Sequence, residues 1–168
     1  VYNLVVHPSE VLRRKSRDVD SSEGELVQEI LSKMQEAVSV EGGVAIAAPQ
    51  IGYNLNIILV HYINDPSDPD HRMEPFESHR REVFINPKIV FKGKKIITGT
   101  EGCLSIPSRK SDVVPRHFDI KIDYMDKDFN PRKLRANKFF ARVLQHEIDH
   151  LNGILFIDLI KPEDVIDA

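Results

Sequence analysis

Apolar residues recur at helical spacing early in the chain. Leu26, Val27, Ile30, Leu31, Met34, Ala37 and Val38 share one face and predict a helix from about Gly24 to Val40, ended by Gly42-Gly43. A shorter helix is expected over 9–15, after His7-Pro8, with Ser9 as its cap. The small-residue stretch 44–49 follows the first helix, and then a strand near 56–62. Residues 64–82 are polar and proline-containing and read as a surface loop. Further strands are expected around 83–85, 88–91 and 94–100, the last after the turn Lys92-Gly93-Lys94. His117 to Asp126 alternates as a strand, with a partner near 131–135. A final helix runs from Lys138 to about Leu151, with Asn137 as its cap and Asn152-Gly153 as its stop. Helices, then mostly strands, then one helix predict an α+β fold with short antiparallel sheets packed around the last helix.

The length of 168 residues suits a single domain, 1–168. Twenty-three basic and 26 acidic residues leave a net charge of −3, which gives no general attraction to nucleic acid or anionic lipid. Cys103 is the single cysteine, so no intramolecular disulfide forms and a reducing compartment suits the composition. No apolar run approaches the roughly 20 residues of a membrane span, and no secretory signal is visible. A cytoplasmic location is therefore expected.

The last helix carries Gln145-His146-Glu147-Ile148-Asp149-His150. At ~100° per residue, His146 and His150 lie one turn apart and differ by ~40° in direction, so both imidazoles can reach one ion. This is the His-Glu-x-x-His pattern of metal-dependent hydrolases, with a chance frequency of roughly 2% here. The bland alternative is an amphipathic helix, because Phe139, Phe140, Val143, Leu144, Ile148 and Leu151 already form an apolar stripe. A catalytic ion usually has three protein ligands and one open position. No histidine follows His150, and Glu163 is the only downstream glutamate, so the third ligand is sought upstream. Cys103, between Gly102 and the turn before Pro107, is the candidate; a buried small hydrophobe and a thiolate nucleophile paired with histidine are the other readings. Residues 42–52 read either as a packed small-residue loop or edge strand, or as part of a site, and they lack the Lys-Ser/Thr of a phosphate loop.

Three segments in order, Gly43-Val44-Ala45-Ile46-Ala47-Ala48-Pro49-Gln50, Glu101-Gly102-Cys103-Leu104-Ser105 and Gln145 to His150, resemble the motifs of the peptide deformylase family. The N-terminal His-Pro-x-x-x-Leu-Arg stretch resembles it as well. The resemblance implies an α+β fold around the metal helix, and hydrolysis of the formyl group from N-terminal formylmethionine of new polypeptides, with release of formate. It implies Cys103, His146 and His150 as ligands of one divalent ion, ferrous iron first, with zinc, nickel and cobalt as alternatives. Glu147 is then the general base, and the Gln50 amide and Leu104 backbone N–H are the donors to the oxyanion. Gly43, Val44, Ala45, Glu101, Gly102, Phe139, Arg142 and Val143 are expected to bind substrate, with Val44, Phe139 and Val143 around the methionine side chain and the backbone near 43–46 pairing with the peptide.

Three positions depart from the pattern. Ala45 stands where the first motif usually has glycine, a cost of about 1 kcal/mol if that backbone needs positive φ. Arg142 stands where an apolar residue is usual, and is expected to cover the rim with its guanidinium in water. The acidic segment 161–168 replaces the basic helix by which some relatives contact ribosomal RNA, so ribosome proximity would need another route. Asp149 is expected to orient a ligand or pair with Arg116, and His71 and His79 to be solvated. The remaining partner expectations are formylmethionyl peptides, no nucleic-acid specificity, no membrane and a monomer. A zinc metallopeptidase with another third ligand and a non-catalytic peptide-binding relative are the alternatives.

Overall fold

The computed structural model describes residues 1–61 and 81–168. Helix α1 spans Gly24–Glu41 and helix α2 Lys138–Leu151. The strands are β1 Ala45–Ala47, β2 Ile57–His61, β3 Arg81–Lys92, β4 Ile96–Cys103, β5 Ile106–His117, β6 Asp119–Met125, β7 Pro131–Asn137 and β8 Ile166–Asp167. They form a five-stranded sheet in the order β1-β2-β3-β6-β7 and a three-stranded sheet in the order β4-β5-β8, and every pairing is antiparallel.

Period-two alternation sorts the large sheet between the two helices. Ile57 and Leu59 of β2, with Ile46 of β1, pack with the α1 residues Val27, Ile30 and Met34. Ile58 and Val60, with Ala45 and Ala47, pack instead with Phe140, Leu144 and Ile148 of α2. Each helix therefore covers one face, and α2 is enclosed. A third cluster, with Leu12, Ile106, Val114, Leu155 and Phe156, fills the space under the β4–β5 hairpin.

The helix ends follow from local chemistry. Gly42 adopts φ +74° and returns its N–H to Val38 O, which closes α1. Gly153, also at φ +74°, packs on Arg13, where an added Cβ would stand 2.4 Å from the carbonyl oxygen. Asn137 precedes α2, but its side chain makes no capping bond; β7 runs straight into the helix, and Lys138 N–H donates to Phe118 O.

Several expectations change. The 9–15 segment is a 3-10 turn, Glu10–Arg13, with Ser9 Oγ accepting from Val11 N–H. The two strands expected at 83–85 and 88–91 are one strand, β3, with a register shift between Ile85 and Lys88. There Asn86 takes φ +50° and binds both backbone groups of Val19, so Asn-Pro marks a bulge and not a break. Strand β5 has no counterpart in the hydrophobic pattern, because its sequence is polar and holds two prolines. Of the 64–82 loop, Arg81 and Glu82 belong to β3; the rest, with His71 and His79, lies outside the described residues. Residues 161–168 form a 3-10 turn and strand β8, with Asp167 paired to Arg109.

Candidate metal centre and substrate cavity

Cys103 is the last residue of β4, and the tight turn to β5 aims it at α2. Ligand atoms of Cys103, His146 and His150 all lie within 4.8 Å of one another. Cys103 Sγ is 3.3 Å from His150 Nε2. The His146 Nδ1–H donates to Glu101 Oε1 at 2.7 Å, which leaves Nε2 to face the sulfur. Burial pushes the His150 imidazole well below its usual range and keeps it neutral, with a lone pair available. One thiol and two imidazoles at this spacing fit a divalent transition metal.

Glu101 is the anchor behind the site. Its Oε1 accepts from His146 and from Arg116 Nη2 at 2.8 Å, and its Oε2 from Arg116 Nε at 2.8 Å and Arg142 Nη1 at 2.7 Å. Burial pushes this carboxyl up, but the hydrogen bonds from Arg116 and His146 outweigh it and leave it at about 2. Arg116 also binds Asp149, the pairing anticipated from the sequence. All four acceptor positions of Glu101 are thus taken. It borders the cavity, as expected of a substrate-binding residue, but its carboxylate oxygens are engaged by the arginines and by the His146 ring.

Arg142 requires a correction. It is 6% exposed, and its guanidinium is not in water. Besides Glu101 it donates to Val114 O at 2.8 Å and Ile97 O at 3.1 Å, so it is wedged between α2 and the hairpin. An uncompensated guanidinium could not be buried; Glu101 and the two carbonyls compensate it. Ala45 resolves more simply. It lies in extended β1 and is not among the residues of positive φ, so alanine costs nothing there.

Gln50 sits in the 3-10 turn after β1. Its Oε1 accepts from Ala47 N–H at 2.9 Å, which turns Nε2 toward Ser105 Oγ at 3.2 Å and Cys103 Sγ at 3.6 Å. Glu147 is buried, its Oε2 has no partner, and burial pushes its carboxyl up to about 7. Leu104 follows the cysteine, and its side chain rests on Gly43, where an added Cβ would meet Leu104 Cδ1 at 2.9 Å.

A cavity of about 570 Å³ joins these groups. Gly43, Val44, Ala45, Gln50, Glu101 to Leu104, Phe139, Arg142, Val143, His146 and Glu147 all border it, while His150 stands behind them. The pattern missed three supports. Ser105 is fully buried beside Gln50, the Phe156 ring stacks on His146 at 6.2 Å, and Gln145 clamps both backbone groups of His117. Only Ser105 and Gln145 carried a signal, as members of the motifs.

A sequence model of the family described as polypeptide deformylase matches residues 1–165. The peptide deformylase of Thermus thermophilus is 40% identical over 167 residues, 97% of this chain and 84% of that protein. The structure of a probable peptide deformylase from synechococcus phage S-SSM7 superposes with a TM-score of 0.82 at 32% identity, covering 95% of this chain and all of that one. A Met-Ala-Ser-bound peptide deformylase of Acinetobacter baumannii superposes with a TM-score of 0.85 at 29% identity, covering 95% of this chain and 98% of that one. With the three motif segments gathered around one cavity, and matches that run nearly end to end, the chain belongs to the polypeptide deformylase family.

Proposed function

We propose that Cys103, His146 and His150 hold one divalent ion, that Glu147 moves the proton, and that the cavity binds the formylmethionyl end of a new polypeptide. The activity is that of the family: hydrolysis of the N-terminal formamide, giving formate and a free amine. The observation that carries the site assignment is the convergence of one sulfur and two imidazoles within 4.8 Å, beside a buried carboxyl with an unpartnered oxygen.

Hydrolysis of an amide near neutral pH needs a strong nucleophile, a proton carrier and a home for the negative charge. The ion, when bound, supplies Lewis acidity and lowers the pKa of water toward 7. Glu147, buried and with an unpartnered Oε2, accepts the proton from the attacking water and passes it to the amine as the C–N bond breaks. Gln50 Nε2 and the Leu104 N–H donate to the oxyanion, each worth ~3–4 kcal/mol of barrier. Cys103 as a ligand also separates this reading from a metallopeptidase that dispenses with it.

Among the described residues, β1 is the edge of its sheet, so Gly43, Val44 and Ala45 can pair with an extended peptide, with Gly102 across the cavity. That the A. baumannii relative binds Met-Ala-Ser supports a peptide as the ligand. Val44, Phe139 and Val143 surround the methionine side chain. Ferrous iron is the first choice of metal, with zinc, nickel or cobalt accepted by the same donors. The setting proposed for this activity is a monomer acting on nascent chains in the cytoplasm. No helix among the described residues is long and apolar enough to cross a membrane.

The test is formate release from formyl-Met-Ala by protein reconstituted with ferrous iron or nickel. Turnover is expected with the formyl peptide and none with acetyl-Met-Ala. Equal turnover of both, or none of either, would overturn the reading.

A further inference from the structure

The substrate side chain beside the metal centre must end against something, and Arg142 is among the residues that border the cavity. Arg142 and Val143 stand four residues, about 6 Å along the helix axis, before His146 and Glu147. A residue whose formyl group reaches the metal centre therefore lays its side chain along that stretch of helix. On the buried side of this path lies the guanidinium, fixed by Glu101 Oε2, Val114 O and Ile97 O.

Its other boundary is Gly99 in β4. A Cβ built on Gly99 would stand 2.9 Å from both Cζ and Nη2 of Arg142 and 3.1 Å from Nε. Gly99 is not among the residues of positive φ. The bareness of the strand is thus needed for the arginine and not for the backbone. Held by three acceptors and backed by Gly99, the guanidinium leaves no room for a side chain at that position of the strand, and a Cβ added there must displace it.

We propose that Arg142, seated on Gly99, sets the length of side chain that the cavity accepts beside the metal centre. This inference rests on the deformylase reading. The Arg142 charge is neutralised by Glu101, so its stem and flat guanidinium form a wall that an unbranched apolar chain can touch. A longer chain would have to displace a buried group with three hydrogen bonds, so the length limit is sharp.

The pair offers substitutions of opposite sign. Metal-loaded enzyme is assayed with formyl-norleucyl-alanine, whose side chain matches methionine in length, and with formyl-2-aminooctanoyl-alanine, two methylenes longer. The quantity read is the ratio of kcat/KM, long over short, in which any loss common to both substrates cancels. Arg142→Ala removes the wall and should raise the ratio at least about tenfold. Gly99→Ala pushes the wall inward and should lower it by about three- to tenfold. A ratio unchanged within about twofold, or moved in the opposite direction, in whichever variant folds and binds metal overturns the inference. Absence of formate release by the unaltered enzyme from the norleucyl substrate would instead overturn the deformylase reading, and this inference with it.

Discussion

Helix α2 and the β4–β5 hairpin each bring groups to one centre, by opposite means. The helix places His146, Glu147 and His150 through regular geometry: a repeat of four residues is one turn, and buried Phe140, Leu144 and Ile148 fix which face looks outward. The hairpin places Cys103, Leu104 and Glu101 through irregularity, with register shifts between Gly99 and Glu101 and between Gly102 and Cys103. The first of these shifts sets Glu101 under His146, and the second turns the sulfur toward the imidazoles. A regular element carries position in its spacing. An irregular one carries it in a bulge, a bare glycine and a buried ion pair.

Breaking the two sides should give different losses. On the helix side, Glu147→Gln removes the carboxyl proposed to carry the proton and leaves the proposed ligands alone. Turnover should fall by roughly 10²–10⁴-fold while metal content is unchanged. Retained turnover at full metal occupancy would remove Glu147 from its role. On the hairpin side, Glu101→Gln removes the negative charge shared by Arg116, Arg142 and His146 and leaves one amide oxygen where two carboxylate oxygens accepted four hydrogen bonds. Metal affinity, measured by competition with a chelator, should weaken by about 10–100-fold. An affinity equal to that of the unaltered protein would mean that Glu101 does not orient the ligand.

The smallest effect is on acid stability. The Glu101 carboxyl sits at about 2 in the folded chain against 4.5 as its ordinary value. A depressed carboxyl contributes stability above its unfolded value, and loses it as the pH falls through 4.5 toward the folded value. The gap in thermal midpoint between metal-free wild type and Glu101→Gln should therefore be widest near neutrality and narrow in acid. A gap that widens on acidification would reverse the sign assigned to Glu101.

This contrast also explains what could be read from the sequence. Both histidines, Glu147 and the core face of α1 were legible because helical spacing converts sequence distance into direction. The unbroken apolar run Ile57, Ile58, Leu59 and Val60 marked a strand, but which residue faces which helix needed the tertiary fold. Strand β5 was invisible because Pro107, Pro115 and a polar stretch remove the alternation, while pairing with β4 supplies the order. Arg142 was misplaced at the rim for a related reason. Nothing local reveals that Glu101, 41 positions away, waits to neutralise it. Cys103 was reached as the upstream residue that could complete the ligand set and Gln50 through motif resemblance, since no periodicity connects either to the helix.

The most direct measurement of the central claim is X-ray absorption at the metal edge of the reconstituted protein. One sulfur and two imidazole nitrogens are expected around the ion, with the sulfur lost on Cys103→Ala. A spectrum without sulfur, or one that Cys103→Ala leaves unchanged, would contradict it.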